Sequence, residues 1–238
     1  MKVIAEGGIT SKNVPPNSKD AVLLTMYSNF ASGLAFNIYY TKDGKIIVSN
    51  EDQVSIMTNR QTSLEDMHSD EILMQNIGSK VTAHQPMLLV DALDLYKGLG
   101  SNKVFLLRID GLLLENSNFV NDLVEIVKQY PIIQIYILSD NVSKLLHLSS
   151  LNTKARIGVS VTSRTMSNLG QTFDFYALDL AVATKDIVDK IFKANRAVFI
   201  DNVNAVEQLN KITTTLTEEQ NRYIYIITQN YGILLSSL

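Results

Sequence analysis

Short apolar runs alternate regularly with helix-like segments from residue 100 onward, and this alternation constrains the fold more than any other feature of the chain. The apolar runs occupy residues 103–110, 132–140, 156–161, 173–181, 196–203 and 223–228. The segments between them, such as 115–130 and 204–216, place apolar residues at helical spacing. Near-continuous apolar strands joined by crossover helices are typical of a parallel sheet with both faces covered.

The N-terminal half extends the same pattern. Residues 3–8, 33–41 and 46–49 have the character of strands, and residues 17–29 lie between the first two with a helical pattern. The count reaches eight β/α units, which predicts an α/β fold of the (β/α)₈ TIM-barrel type, near the lean end of the roughly 250 residues that such a barrel typically has. A doubly wound open sheet is the structural alternative.

Residues 50–84 are the least regular part, and we interpret them as an excursion over the barrel mouth. Residues 85–100 then predict a helix with Leu88, Leu89 and Tyr96 among the apolar residues of one face. For the helix in 115–130, Ser117 is the expected N-cap and Pro131 the stop. No linker or low-complexity segment divides the chain, so we predict one domain over 1–238.

Composition excludes several functional classes. The net charge is -3, so no basic surplus favours nucleic acid as a partner. The sequence has no cysteine, which excludes disulfides, thiolate metal sites and a cysteine nucleophile. No run reaches the roughly 18 apolar residues of a membrane span. We therefore expect a cytoplasmic protein without a membrane span.

The ends of the predicted strands are where a barrel of this type carries its active site. The side chains at these positions are Glu6, Asn37, Asn50, Glu51, Arg108, Asp110, Ser139, Asp140, Ser160, Thr162, Asp201, Asn202, Thr228 and Gln229. The set has little metal-ligand character, and the three histidines are scattered, so we expect no metal and no other cofactor. The pairs Ser139-Asp140 and Asp201-Asn202 are interpreted as strand-end turns and caps.

Several motifs at these positions resemble the glycerophosphodiester phosphodiesterase family. Ala5-Glu6-Gly7-Gly8 stands where that family has Ala-His-Arg-Gly, and Pro15-Pro16-Asn17-Ser18 stands for its Pro-Glu-Asn-Thr. Thr41-Lys42-Asp43-Gly44 matches its Thr-x-Asp-Gly turn. Val203-Asn204 keeps the end of its Trp-Thr-Val-Asn run. The resemblance spans nearly the whole chain and implies a TIM barrel of the phospholipase-C-like phosphodiesterase type.

The same resemblance implies that the catalytic site has been lost. In the family, two glutamates and an aspartate hold a divalent cation, and two histidines transfer protons. By the matched motifs, the three acids become Ala35, Asn37 and Arg108, while the histidines become Glu6 and Asn50. An arginine cannot be deprotonated and would repel the cation. The resemblance therefore implies a pseudoenzyme for metal-dependent hydrolysis, with Glu6, Asn50 and Glu51 as the remaining catalytic candidates.

Three functions follow as hypotheses. The first is a protein that binds a partner or a small anionic or polar ligand at the barrel mouth through Arg108, Asp110, Asn37 and Asn202. In it, Arg108 either binds a phosphate or carboxylate, or joins Asp110 in an ion-pair network with Glu6 or Glu51. The second is a metal-free phosphoric diester hydrolase acting on glycerophosphodiesters in lipid and glycerol metabolism. The third is such a hydrolase with a relocated metal site at Glu51, Asp52 and Asp110. Oligomerisation is left open.

Overall fold

The computed structural model describes residues 1–49, 63–79, 81–99, 102–151 and 153–232. The strands are β1 (Lys2–Glu6), β2 (Ala31–Tyr40), β3 (Ile46–Val48), β4 (Met87–Leu88), β5 (Val104–Arg108), β6 (Gln134–Ser139), β7 (Arg156–Val161), β8 (Phe175–Asp179), β9 (Ala197–Asp201) and β10 (Tyr225–Thr228). The α-helices are α1 (Lys19–Tyr27), α2 (Ser69–Leu73), α3 (Leu89–Gly98), α4 (Ser117–Gln129), α5 (Val142–Ser150), α6 (Lys185–Lys193), α7 (Val206–Thr215) and α8 (Glu218–Tyr223). In the described ranges, no helix is both long enough and apolar enough to cross a membrane.

Eight parallel strands close into a barrel in the order β1-β2-β5-β6-β7-β8-β9-β10. Closure is made by β1, which pairs in parallel with both β10 and β2. This confirms the predicted (β/α)₈ barrel, because a doubly wound sheet would leave two strands with a free edge. Strand β2 continues past the barrel and pairs antiparallel with β3, and β3 pairs antiparallel with β4.

The barrel interior below the mouth is filled by apolar side chains. One buried cluster takes its members from alternate positions of the barrel strands, including Ile4, Ala35, Leu106, Ala177 and Phe199. The residues of opposite parity face outward and pack with the helices in a larger cluster. The interior formed by the described strands is therefore a packed core.

A glycine makes room for the largest rings of this interior. A Cβ added at Gly158 would lie 2.4 Å from ring carbons of Phe175. The Phe175 ring packs against those of Tyr136 and Phe199, with centroid distances of 5.2 and 4.9 Å. The close approach of an aromatic ring thus explains the break in the apolar run of β7.

Two boundaries predicted from the sequence differ from those in the structure because of local hydrogen bonds. Helix α4 is capped by Asn116, whose side chain accepts hydrogen bonds from the backbone N–H of Asn118 and Phe119, so the predicted cap Ser117 is the first helical residue. Leu88 belongs to β4 rather than to the apolar face of α3, because it pairs with Ile47.

Part of the predicted irregular segment is ordered into short helices. Residues 50–62 and 80 lie outside the described part of the chain, but Leu64–Asp66 forms a 3₁₀ turn and α2 follows it. Helix α8 was not predicted, and its capping box joins Thr217 and Gln220. The single-domain assignment of residues 1–238 stays a prediction.

Candidate functional site

Polar side chains replace the apolar interior at the carboxyl ends of the barrel strands. Glu6, Asn37, Arg108, Asp179 and Asp201 each stand two residues after a member of the interior cluster. Successive side chains of a strand alternate between faces, so these five point to the inside of the barrel at its mouth. The mouth is thus lined by three acids, one amide and one guanidinium.

Arg108 joins three strands by ion pairs across this mouth. Its Nη1 lies 3.3 Å from Glu6 Oε1, and its Nη2 donates a hydrogen bond to Asp201 Oδ1. The side chains of Arg108, Glu6 and Asp201 are 18, 13 and 15% exposed. The Nε of Arg108 is buried and has no hydrogen-bond partner within the described residues. One fixed cation is therefore held between two largely buried carboxylates.

The predicted pairing of Arg108 with Asp110 is wrong, whereas its predicted pairing with Glu6 is present. Asp110 is exposed, and its Oδ1 accepts a hydrogen bond of 2.8 Å from the N–H of Leu112. Strand β5 ends at Arg108, so the two-residue alternation that would align the two side chains does not reach Asp110. Both residues nevertheless line the same cleft.

Two adjoining clefts open at the mouth. The first has a volume of about 350 Å³, and its lining includes Asn37, Arg108, Asp110 and Asp201. The second has a volume of about 300 Å³ and includes Glu6 and Asn37. Asn37 therefore lines both clefts, and each cleft is also lined by side chains of the ion-pair network.

Asn202, which was predicted to bind a ligand, lines neither of these clefts. Asn202 is exposed with φ 61°, and its N–H donates to Asp201 Oδ1 at 2.8 Å, so it caps the end of β9 outside both clefts. Asn50 and Glu51 lie outside the described residues. Their predicted roles stay predictions.

Sequence reasoning missed two acids of the mouth. From the sequence, Asp201 is interpreted as part of a strand-end cap, and Asp179 is not among the predicted site residues. Each is the last residue of its strand and has the parity of the buried apolar residues before it. That parity is the signal that could have found both.

The first barrel loop is shaped by glycines rather than by a ligand. Gly7 and Gly8 have φ of 70° and 85°, where only glycine is unstrained. A Cβ on Gly8 would lie 2.7 Å from the carbonyl oxygen of Ala21 in α1. The loop therefore packs directly on the helix.

The matched Thr41–Gly44 turn ties the β2–β3 hairpin to α2. The carboxylate of Asp43 accepts hydrogen bonds from the hydroxyl of Ser69 at 2.6 Å, from the hydroxyl of Thr41 at 2.8 Å and from the N–H of Ser69 at 2.8 Å. The Ser69 hydroxyl contributes most, and together these bonds hold the pKa of Asp43 far below its usual range. The turn thus holds the β2–β3 hairpin and α2 together beside the mouth.

The residues at the mouth do not fit the divalent cation that the family resemblance implies. A hard cation requires several oxygen ligands, most of them anionic. Over the described part of the chain, no group of three or more histidine, aspartate or glutamate side chains is arranged to hold a metal ion. The guanidinium of Arg108 already lies against Glu6 and Asp201, and its charge would repel a metal ion there.

Solved structures with this fold are similar over the whole chain. A phosphodiesterase from Oleispira antarctica, in complex with the product sn-glycerol-3-phosphate, is 16% identical, with a TM-score of 0.79 over 100% of this chain and 96% of that chain. A glycerophosphodiester phosphodiesterase from Thermotoga maritima is 15% identical, with a TM-score of 0.74 over 99% and 97%. One from Agrobacterium tumefaciens is 14% identical, with a TM-score of 0.69 over 99% of each chain. No protein-family model and no curated protein matches the sequence. At these identities the likeness shows the fold, and the chain therefore has the TIM-barrel fold of the glycerophosphodiester phosphodiesterases.

Proposed function

We propose that this protein is a glycerophosphodiester phosphodiesterase-like barrel that does not catalyse metal-dependent hydrolysis and that binds a small polar ligand at its mouth. The observation that carries the proposal is the guanidinium of Arg108 between the carboxylates of Glu6 and Asp201. This guanidinium supplies a permanent positive charge at the place where hydrolysis by the family would use a divalent metal ion, which a chelator can remove. A permanent charge stabilises the barrel mouth but activates no water.

The charges of the mouth oppose an anionic ligand. An anion about 4 Å from Arg108 gains about 4 kcal/mol at an effective dielectric constant of about 20. Glu6 and Asp201 each impose a repulsion of similar size at a similar distance, so the network as a whole repels the anion. Asp110 and Asp140 at the rim have no basic partner within 4 Å among the described residues and add to this repulsion. Of the two ligand classes predicted from the sequence, the polar one is favoured.

Neutral hydrogen-bonding groups give such a ligand its partners. Asn37, Ser139 and Ser160 line the larger cleft, and Gln229 and Asn230 line the smaller one. Amides and hydroxyls both donate and accept, which suits the hydroxyl groups of a polyol. We therefore propose a neutral polyhydroxylated ligand, or such a group on a larger molecule.

The first experiment is a hydrolysis assay. Release of glycerol 3-phosphate from glycerophosphocholine is measured with calcium or magnesium and then with chelator, beside an active glycerophosphodiester phosphodiesterase. We expect no turnover. Chelator-sensitive turnover would refute the proposal. Chelator-insensitive turnover that is lost in Glu6→Gln would support the metal-free hydrolase instead.

The second experiment tests the ligand class. Thermal unfolding is followed with glycerol 3-phosphate and with inositol, a neutral polyol, at equal concentrations. We expect inositol to raise the unfolding temperature and Asn37→Leu to abolish the rise. Asn118→Leu, at an exposed residue of α4 that lines neither cleft, is the matched control and should keep the rise. A larger rise with glycerol 3-phosphate would contradict the charge argument.

A further inference from the structure

A further cavity, distinct from the two clefts of the mouth, lies between helices α6 and α8 on the outside of the barrel. Its volume is about 810 Å³, within the range of small-molecule sites. Arg156 and Ala197, which line it, are the first residues of β7 and β9. This end of the groove therefore lies at the amino-terminal rim of the strands, opposite the mouth. We call the whole cavity the basic groove.

The basic groove has a charge opposite to that of the whole chain. Arg156, Lys185, Lys193 and Arg196 line it, against the two acids Asp189 and Glu219. The lining therefore carries a net charge of +2, whereas the chain carries -3. Of the four basic residues only Arg196 has a carboxylate within 4 Å in the described ranges, that of Asp174 at 3.7 Å. Three cations are thus available to a ligand.

Local contacts fix the cationic end of the groove before any ligand binds. Helix α6 ends in a tight turn in which Asn195 has φ 56° and the N–H of Arg196 donates to the carbonyl of Ile191 at 3.2 Å. The guanidinium of Arg156 lies 5.5 Å from the centroid of the Tyr136 ring. Lys193 and Arg196 therefore flank a defined turn rather than a loose loop.

The floor and the rim of the groove have different chemistry. Gln220 is buried, and its Nε2 donates to Asp189 Oδ1, which ties α8 to α6 and engages one of the two acids. Phe192 is half-buried, and Tyr223 is 60% exposed at the surface of α8. A planar ring can stack on these aromatic faces while an anionic group reaches the cations.

We propose that the basic groove binds a small organic phosphate that carries a planar ring, the class to which mononucleotides belong. Arginine and lysine supply the charge-assisted hydrogen bonds that a phosphate accepts. Phe192 and Tyr223 supply the surface for the ring. The site is independent of the ligand proposed for the mouth, because the two share no residue.

The test uses adenosine 5′-monophosphate as the probe, with inorganic phosphate and adenosine as its separate halves. Isothermal titration calorimetry on the full chain should give tighter binding for the nucleotide than for either half. Lys193→Glu, at one of the three cations left unpaired among the described residues, should weaken nucleotide binding at least about tenfold. Tyr223→Ala should weaken the binding of nucleotide and leave that of phosphate unchanged. Lys211→Glu, an equal charge change at an exposed site of α7 outside the groove, should have no effect.

Several outcomes would overturn this proposal. One is the absence of heat with millimolar nucleotide. Another is an equal loss of binding in Lys211→Glu and Lys193→Glu, which would indicate non-specific attraction. Phosphate binding as tightly as the nucleotide would remove the role of the ring. Self-association that is lost in Lys193→Glu, without nucleotide binding, would mean that the groove meets the acidic mouth of a second copy instead. Loss of nucleotide binding in Asn37→Leu would place the nucleotide at the mouth.

Discussion

Replacing Arg108 by methionine removes the cation of the mouth while keeping a long unbranched side chain. Because the three side chains of the network are more than four-fifths buried, the change leaves Glu6 and Asp201 without a positive partner in a poorly solvated place. Removing one partner of a buried ion pair costs about 3–5 kcal/mol of stability. Because the three side chains keep some solvent exposure, we expect a loss at the lower end, about 3 kcal/mol. Over 238 residues, this corresponds to a fall in the unfolding temperature of about 6 °C.

The assay is thermal unfolding followed by circular dichroism, with urea unfolding for the free energy. Arg222→Met is the matched control. Arg222 also pairs with a carboxylate, that of Glu218 at 2.6 Å, but the two side chains are 69 and 84% exposed. An exposed pair of this kind contributes less than about 0.5 kcal/mol, so the control should shift unfolding by about 1 °C or less.

A triple variant separates the charge from the packing. Glu6→Met, Arg108→Met and Asp201→Leu together replace the network by apolar side chains of similar volume, and such replacements are often neutral or stabilising. We expect the triple variant to recover most of the stability lost in Arg108→Met. If Arg108→Met is no worse than Arg222→Met, or if the triple variant is no better than Arg108→Met, the reasoning is refuted.

Two further predictions concern the loops beside the mouth. The hydrogen bonds from Ser69 and Thr41 lower the pKa of Asp43, so the stability they give is present at neutral pH and is lost as the pH falls below about 4. Asp43→Asn should therefore destabilise the protein by about 1 kcal/mol at pH 7, a value discounted for the solvent exposure of Asp43, and by less at pH 3. Urea unfolding measures both losses, and an equal loss at the two pH values would contradict this prediction. Gly8→Ala should destabilise by more than about 1 kcal/mol because of its φ of 85° and its contact with α1, whereas Gly98→Ala in α3, where a Cβ meets nothing within 4 Å, should be neutral or stabilising. Equal unfolding temperatures for these two variants would contradict the prediction.

Most of the barrel could be predicted from the sequence because the apolar runs, the helical spacing and the polar residues between them all indicate the same elements. The strand β7 was predicted at residues 156–161 and forms there, since its apolar run is bounded by polar residues on both sides. The helix predicted in 115–130 also forms, but its first turn is set by Asn116. Both asparagine and serine cap helices well, and only the three-dimensional structure shows which side chain reaches the free N–H groups.

The sequence by itself determined the alternation of strands and helices and the polar character of the strand ends. These properties depend on residue type and spacing within short segments, which can be read along one chain. Tertiary structure alone decided which strand ends meet. Arg108 contacts Glu6 and Asp201, which are 102 and 93 residues away, because closure of the barrel brings the ends of β1, β5 and β9 together around one mouth. The basic groove likewise takes its cations from β7, from α6 and from the turn after α6, which come together only when β7, β8 and β9 pair side by side.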